Sequence, residues 1–194
     1  MTLTADQALE RLIEGNRRFA AGQSQHRIYE TDDLVEISHV QQPFAAIVAC
    51  MDSRVVPELL FDQELGSLFV SRVPANVASD GTKWMIDIAV GEFHVPLVVV
   101  LGHTGCIAVR QIVEGLSGPG GGLRHRVKNA FQDVRLARRE PVYEMTIEQN
   151  ALNTAKDLYA ECPPLSHAVR EGTTLVKAAI YDMPSGEVRW LEAH

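Results

Sequence analysis

The sequence predicts one α/β domain spanning residues 1–194, built on a central, mainly parallel β-sheet flanked by helices. About four parallel strands and one antiparallel edge strand are expected. Three observations lead there. Residues 44–49 and 97–101 are uninterrupted apolar runs bounded by turn residues, the pattern of strands buried on both faces. Stretches of helical spacing separate such runs, and strand–helix–strand units of this kind cross over right-handed. Two runs near the end, 174–181 and 188–191, are joined by Met183-Pro184-Ser185-Gly186, turn residues that signal a hairpin.

Each element has a local reason. Thr2 or Thr4 can cap a first helix that stops at Gly22. Ala5, Ala8, Leu9, Leu12, Ile13 and Phe19 recur along it at three- and four-residue spacing. Residues 23–42 are polar and aperiodic, apart from Leu34, Ile37 and Val40, and read as an extended arm. The first strand follows at 44–49. Pro57 opens a short helix through Phe61, since proline is tolerated in a first turn. The second strand is 68–73, and 75–81 is a loop. Met85, Ile86, Ala89, Val90 and Phe93 give 82–93 a helical stripe, which Pro96 ends before the third strand at 97–101. Residues 106–116 read as helix, and glycines break the chain at 118–122. The stretch 123–139 is strongly basic and reads as the solvated face of a helix, with an anion or nucleic-acid patch as the alternative. Ile147, Ala151, Leu152, Ala155 and Leu158 share one face of a helix at 145–159. Pro163-Pro164 stop it, one more short helix fits 165–171, and the last parallel strand is 174–181.

Composition bounds the function. A net charge of −7 argues for solubility and against nucleic acid as a partner. No apolar run approaches the ~20 residues needed to cross a bilayer, so no membrane partner is expected. The N-terminus is charged from Asp6 onward, unlike a signal peptide. Three cysteines without an obvious pairing suit a reducing compartment with thiols free for metal, and a cytoplasmic location is expected.

Two stretches carry chemistry. Ala49-Cys50-Met51-Asp52-Ser53-Arg54 follows the first strand, and Gly102-His103-Thr104-Gly105-Cys106 follows the third. Ligands of open α/β sheets bind beyond the carboxyl ends of the strands. Two thiols and an imidazole at that edge, from Cys50, His103 and Cys106, suit zinc, one ion per chain. Three protein ligands leave a fourth position, as catalytic rather than structural sites do. In the first turn of a helix, Cys106 would be favoured as thiolate by the unpaired N–H groups there. Asp52 and Arg54 are two apart and face the same way in extended chain, so that Arg54 would keep Asp52 ionised and oriented. Cys162, beside two prolines, reads as a plain thiol.

Cys50-x-Asp52-x-Arg54 followed by His103-x-x-Cys106 resembles the signature of the β-class carbonic anhydrases. The likeness extends over residues 5–22, 41–66, 69–76 and 96–109 and the closing Tyr181-Asp182…Gly186. The resemblance implies reversible hydration of CO2 to bicarbonate and a proton through a zinc-bound hydroxide, which attacks carbon while Asp52 accepts its hydrogen bond. Two thiolate ligands make the bound water less acidic than three imidazoles do, so activity should rise toward alkaline pH. In a closed state of such enzymes, the Asp52–Arg54 pair breaks and Asp52 becomes the fourth zinc ligand. The resemblance also implies a homodimer or homotetramer, with residues 1–42 packing on a partner subunit. Gln41 matches a substrate-contacting glutamine, and Phe69 an apolar wall of the pocket.

The chain departs from the family pattern in places. Ile107 stands where glycine commonly follows the second zinc cysteine. Arg72-Val73-Pro74 replaces the usual Arg-Asn start, and Asp87-Ile88 the usual Glu-Tyr. Ile88, Ile107 and Pro74 all point to a narrower, more apolar pocket. The alternatives are therefore a relative with a changed substrate, carbonyl sulfide or carbon disulfide, or a closed, non-catalytic zinc site.

Overall fold

The computed structural model describes residues 3–25, 27–116 and 121–192. Strands are β1 (Ala45–Cys50), β2 (Leu68–Val73), β3 (Leu97–His103), β4 (Leu175–Tyr181) and β5 (Val188–Leu191). Helices are α1 (Ala5–Ala20), α2 (Thr31–His39), α3 (Pro57–Leu60), α4 (Asp80–Gly91), α5 (Ile107–Val113), α6 (Gly122–Leu136), α7 (Val142–Glu161) and α8 (Pro163–Arg170). The strands form one sheet in the order β2-β1-β3-β4-β5. The pairs β2–β1, β1–β3 and β3–β4 are parallel, and β4–β5 is the antiparallel hairpin the sequence predicts.

β1 and β3 lie in the middle and are buried at every position, which is why both read as unbroken apolar runs. Alternate residues serve opposite faces. Ala46, Val48, Val98 and Val100 join the core that includes Ile86 of α4 and Ala151 of α7. Ala45, Ile47, Val99 and Leu101 join the core beneath α1, where Ala8 and Leu12 are fully buried. Thr4, not Thr2, caps α1: its hydroxyl accepts from the Gln7 N–H, and the Gln7 side chain accepts from the Thr4 N–H. Thr2 lies outside the described residues.

β1 has β2 on one side and β3 on the other, so the winding of the sheet reverses at β1. Such a reversal opens a crevice at the carboxyl ends of the two strands that flank it. Cys50 ends β1 and His103 ends β3, and these are the neighbours across that crevice.

Several boundaries differ from expectation. The arm is not wholly extended: α2 occupies its middle, and the spacing of Leu34 and Ile37 is helical after all. None of the α2 residues is buried, and nine residues are too short a stretch for its spacing to announce it. β3 runs two residues further than the apolar run, because Gly102 and His103 keep pairing with Ile180 and Tyr181 of β4. Gly102 leaves room there: a Cβ would come within 2.8 Å of Ile180 Cδ1, beneath α7, and that side chain would have to shift. α7 begins at Val142, three residues early, and Pro163 opens α8 as well as ending α7, the first helical position being where proline costs nothing. The glycine-rich break falls largely outside the described residues. In α6, Val127, Ala130 and Val134 face inward and the basic residues outward. Arg126 pairs with Asp157 and Glu161 of α7.

Candidate metal centre

Cys50, His103 and Cys106 come together, their ligand atoms all within 4.8 Å of one another and all three residues buried. The two sulfurs are 4.0 Å apart. Three local features deliver them. β1 carries Cys50 to the sheet edge. β3 carries His103 one strand over. The turn Thr104-Gly105 then brings the chain back so that Cys106 stands at the N-cap of α5, one position before the first turn expected for it. Gly105 adopts φ +71° in that turn, a conformation that favours glycine. The Thr104 N–H donates to the Tyr181 carbonyl at 3.0 Å and its hydroxyl accepts from the Met183 N–H at 3.0 Å, which ties the turn to the end of β4.

His103 supplies the test of whether a metal fits. Its Nδ1 lies 2.9 Å from the Thr104 carbonyl oxygen, so Nδ1–H donates there and Nε2 is left with a lone pair. Nε2 is buried and has no hydrogen-bond partner. An orphaned buried acceptor is costly unless something binds it, and a carbonyl on the far nitrogen is the usual support of a metal-ligating histidine. The sulfurs agree. The hydrogen bond from Cys106, more than any other contact, pulls the Cys50 thiol below its ordinary range, against the opposing effect of burial. The same bond and burial push Cys106 up, although the Val109 and Ala108 N–H groups favour its thiolate. The pair thus gives up one proton readily and holds the second until a cation offsets the like charges. Two sulfurs and one imidazole nitrogen are a zinc-type donor set.

Asp52 and Arg54 meet as a bidentate pair. Arg54 Nε donates to Oδ1 at 2.9 Å, Nη2 to Oδ2 at 2.8 Å, and the Arg54 backbone N–H to Oδ1 at 3.0 Å. These bonds hold the Asp52 carboxyl well below the usual carboxylate range. Asp52 is not in the cluster of potential ligands.

The other singled-out residues scatter. Ile107 opens α5, is 57% exposed, and lines a cleft of about 450 Å³ together with Met51, Pro74, Ala75 and Leu123. Two of the departures, Pro74 and Ile107, therefore share one wall. Ile88 lies half-buried on α4 and is not among the residues lining that cleft. Phe69 lies on β2 and packs edge-on against Phe93, ring centres 5.0 Å apart. Gln41 is exposed, between α2 and β1.

Sequence reasoning missed residues that act on backbone. Tyr143 of α7 donates its hydroxyl to the Cys106 carbonyl at 3.0 Å. Asn150 donates to the Ala75 carbonyl at 2.7 Å, fixing a residue with φ +53°. Arg72 donates to the carbonyls of Cys50, Met51 and Asp52. No spacing rule announces them, since their acceptors are main-chain atoms common to every residue.

A family model described as carbonic anhydrase matches residues 45–188. The chain is 34% identical over 184 residues to carbonic anhydrase 2 of Mycobacterium tuberculosis, covering 92% of this chain and 89% of the relative. It is 31% identical over 192 residues to a carbonic anhydrase of Mycolicibacterium smegmatis, covering 96% and 93%. Among solved structures, the β-carbonic anhydrase CcaA superposes with a TM-score of 0.73 at 27% identity and 95% of each chain. The matched region contains Cys50, His103 and Cys106 as well as the Asp52–Arg54 pair, and with these relatives the chain belongs to the β-class carbonic anhydrase family.

Proposed function

We propose that this protein catalyses the reversible hydration of CO2 to bicarbonate and a proton, with one zinc ion held by Cys50, His103 and Cys106. The observation that carries the reading is the unpartnered, buried Nε2 of His103 facing two thiols, beside an ionised Asp52 held by Arg54. Zinc bound there would supply a Lewis acid that lowers the pKa of a water, less strongly than with three imidazoles. Asp52 accepts a hydrogen bond from the attacking oxygen and orients it toward the carbon. Arg54 keeps Asp52 charged and turned. Ile107, together with Met51 and Pro74, forms the apolar wall of the cleft that admits a small linear substrate. Phe69, Ile88 and Gln41 are the remaining contacts proposed for the substrate pocket.

Both Asp52 oxygens are taken by Arg54, which supports an open site rather than a closed, non-catalytic one. Stopped-flow CO2 hydration on zinc-quantified protein tests the reading. A rate that rises from about pH 6.5 to 9 at one zinc per chain is expected. Full zinc occupancy with no hydration across that range sinks it, and carbonyl sulfide becomes the next substrate to try.

Residues 1–42 are proposed to pack partly on a second subunit in a homodimer or homotetramer. α1 buries its stripe on its own sheet, but Ile28, Leu34, Val35 and Val40 of the arm remain exposed. A monomer in sedimentation equilibrium at micromolar concentration ends that proposal. No described helix is long and apolar enough to cross a membrane.

A further inference from the structure

We propose that Arg72 is a positioning residue for the metal centre, acting by clamping the backbone of the turn that carries Cys50 and Asp52. The inference rests on the zinc reading of Cys50, His103 and Cys106. Arg72 sits near the carboxyl end of β2, the strand beside β1, with Arg72 paired to Ala49 and Val73 to Cys50. Its side chain reaches across to three consecutive carbonyls. Nε donates to the Cys50 oxygen at 3.2 Å, and Nη2 to the Met51 oxygen at 3.3 Å and the Asp52 oxygen at 2.5 Å. The Met51 N–H adds a further rung, to the Val73 carbonyl at 3.1 Å.

The geometry divides the work between two arginines. Arg54 holds the Asp52 side chain, and Arg72 holds the main chain from which both the Cys50 sulfur and the Asp52 carboxylate project. Three carbonyls converging on one planar cation are charge-assisted acceptors, stronger than neutral ones. The turn has other restraints, from the Met51 N–H to the Val73 carbonyl and from the Val55 N–H to the Asp52 carbonyl at 3.0 Å, but Arg72 ties three successive carbonyls of it to β2. Outer contacts of this kind commonly change metal affinity by about 10–100-fold. Lysine replaces the guanidinium here only in part, because one ammonium lacks a rigid fork that spans successive acceptors. Arg72 is itself exposed, so its truncation opens no cavity in the core.

The test compares wild type with Arg72→Ala and Arg72→Lys. Zinc affinity is read by competition with a chromophoric chelator, ligand geometry by the visible spectrum of the cobalt-substituted proteins, and the fold by melting of the metal-free forms. Zinc affinity is expected to fall about 10–100-fold in Arg72→Ala, with altered cobalt bands and metal-free melting close to wild type. Arg72→Lys should recover only part of the affinity. Unchanged zinc affinity and an unchanged cobalt spectrum in Arg72→Ala overturn the proposal. So does a loss seen only as lower metal-free melting, which would assign Arg72 to the fold alone. If wild type binds zinc yet hydrates no CO2, the activity reading fails while affinity and spectrum still decide the clamp. Wild type that takes up no metal ends both.

Discussion

Cys106 and Cys162 occupy the same kind of place and have different chemistry. Each is buried, and each stands at the N-cap of a helix, α5 for one and α8 for the other. Cys106 faces the sulfur of Cys50 and the unpartnered nitrogen of His103. Cys162 lies in the core between α7 and α8, where burial first, and the charge of Asp87 second, push its thiol up to about 11. A helix start by itself therefore does not make a metal ligand. A candidate metal site also needs a second strand end and a third donor arriving at the same spot, and the reversal of winding at β1 supplies them.

Exchanging the cysteines breaks or upholds that comparison most directly. Cys50→Ser should reduce zinc from one per chain to background in metal analysis, because a thiolate is lost from a set of only three protein ligands. Cys162→Ala should keep full zinc and full activity. Retained zinc in the first variant, or zinc loss in the second, would show that the wrong thiols have been paired with the metal.

Next in size is the carboxylate beside the cluster. Asp52→Ala should keep zinc and lower kcat by about 100-fold, the scale of a missing hydrogen-bonding acid–base group. A variant as active as wild type would leave Asp52 as a structural partner of Arg54. Smaller again is the cleft wall. Ile107→Gly should change kcat/KM by up to about tenfold, since it removes one apolar group from a pocket for a small substrate. An unaltered value would separate the exposed Ile107 side chain from the substrate path.

The smallest effect belongs to the second thiol and sharpens the contrast through pH. Folding raises Cys162 from 9.0 to about 11, so the folded protein keeps a proton that the unfolded chain gives up first. Its contribution is complete below about pH 9 and is lost as pH rises toward 11. Cys162→Ala should cost about 1 kcal/mol at neutral pH by the small cavity it leaves. That cost should shrink between pH 9 and 11 in urea titrations. A cost that grows over this interval would contradict the sign.

Much of this was legible before any coordinates. β1 and β3 announced themselves because strands buried on both faces have no room for polar residues. The candidate metal ligands were legible because Cys50, His103 and Cys106 each follow such a strand or open the helix after it. α2 was not, since nothing in it is buried and its nine residues give only a short stripe. The extension of β3 through His103 was hidden because Gly102 and His103 are neither apolar nor β-branched. They pair because β4 lies alongside.

The sequence by itself determined the types of the strands and of the helices other than α2, the candidate donor set, and the Asp52–Arg54 pair, because these follow from local periodicity and from chemistry within a few residues. Tertiary structure alone decided which strands are neighbours, and so which thiol meets the histidine. It also decided that His103 donates through Nδ1 and keeps Nε2 free, and that Arg72 and Tyr143 grip the turns that carry Cys50 and Cys106 through their carbonyls. The reason is physical. A side chain's identity is written in the sequence, but main-chain carbonyls are the same at every position. Which of them a distant arginine or tyrosine reaches is fixed only when the sheet has been assembled.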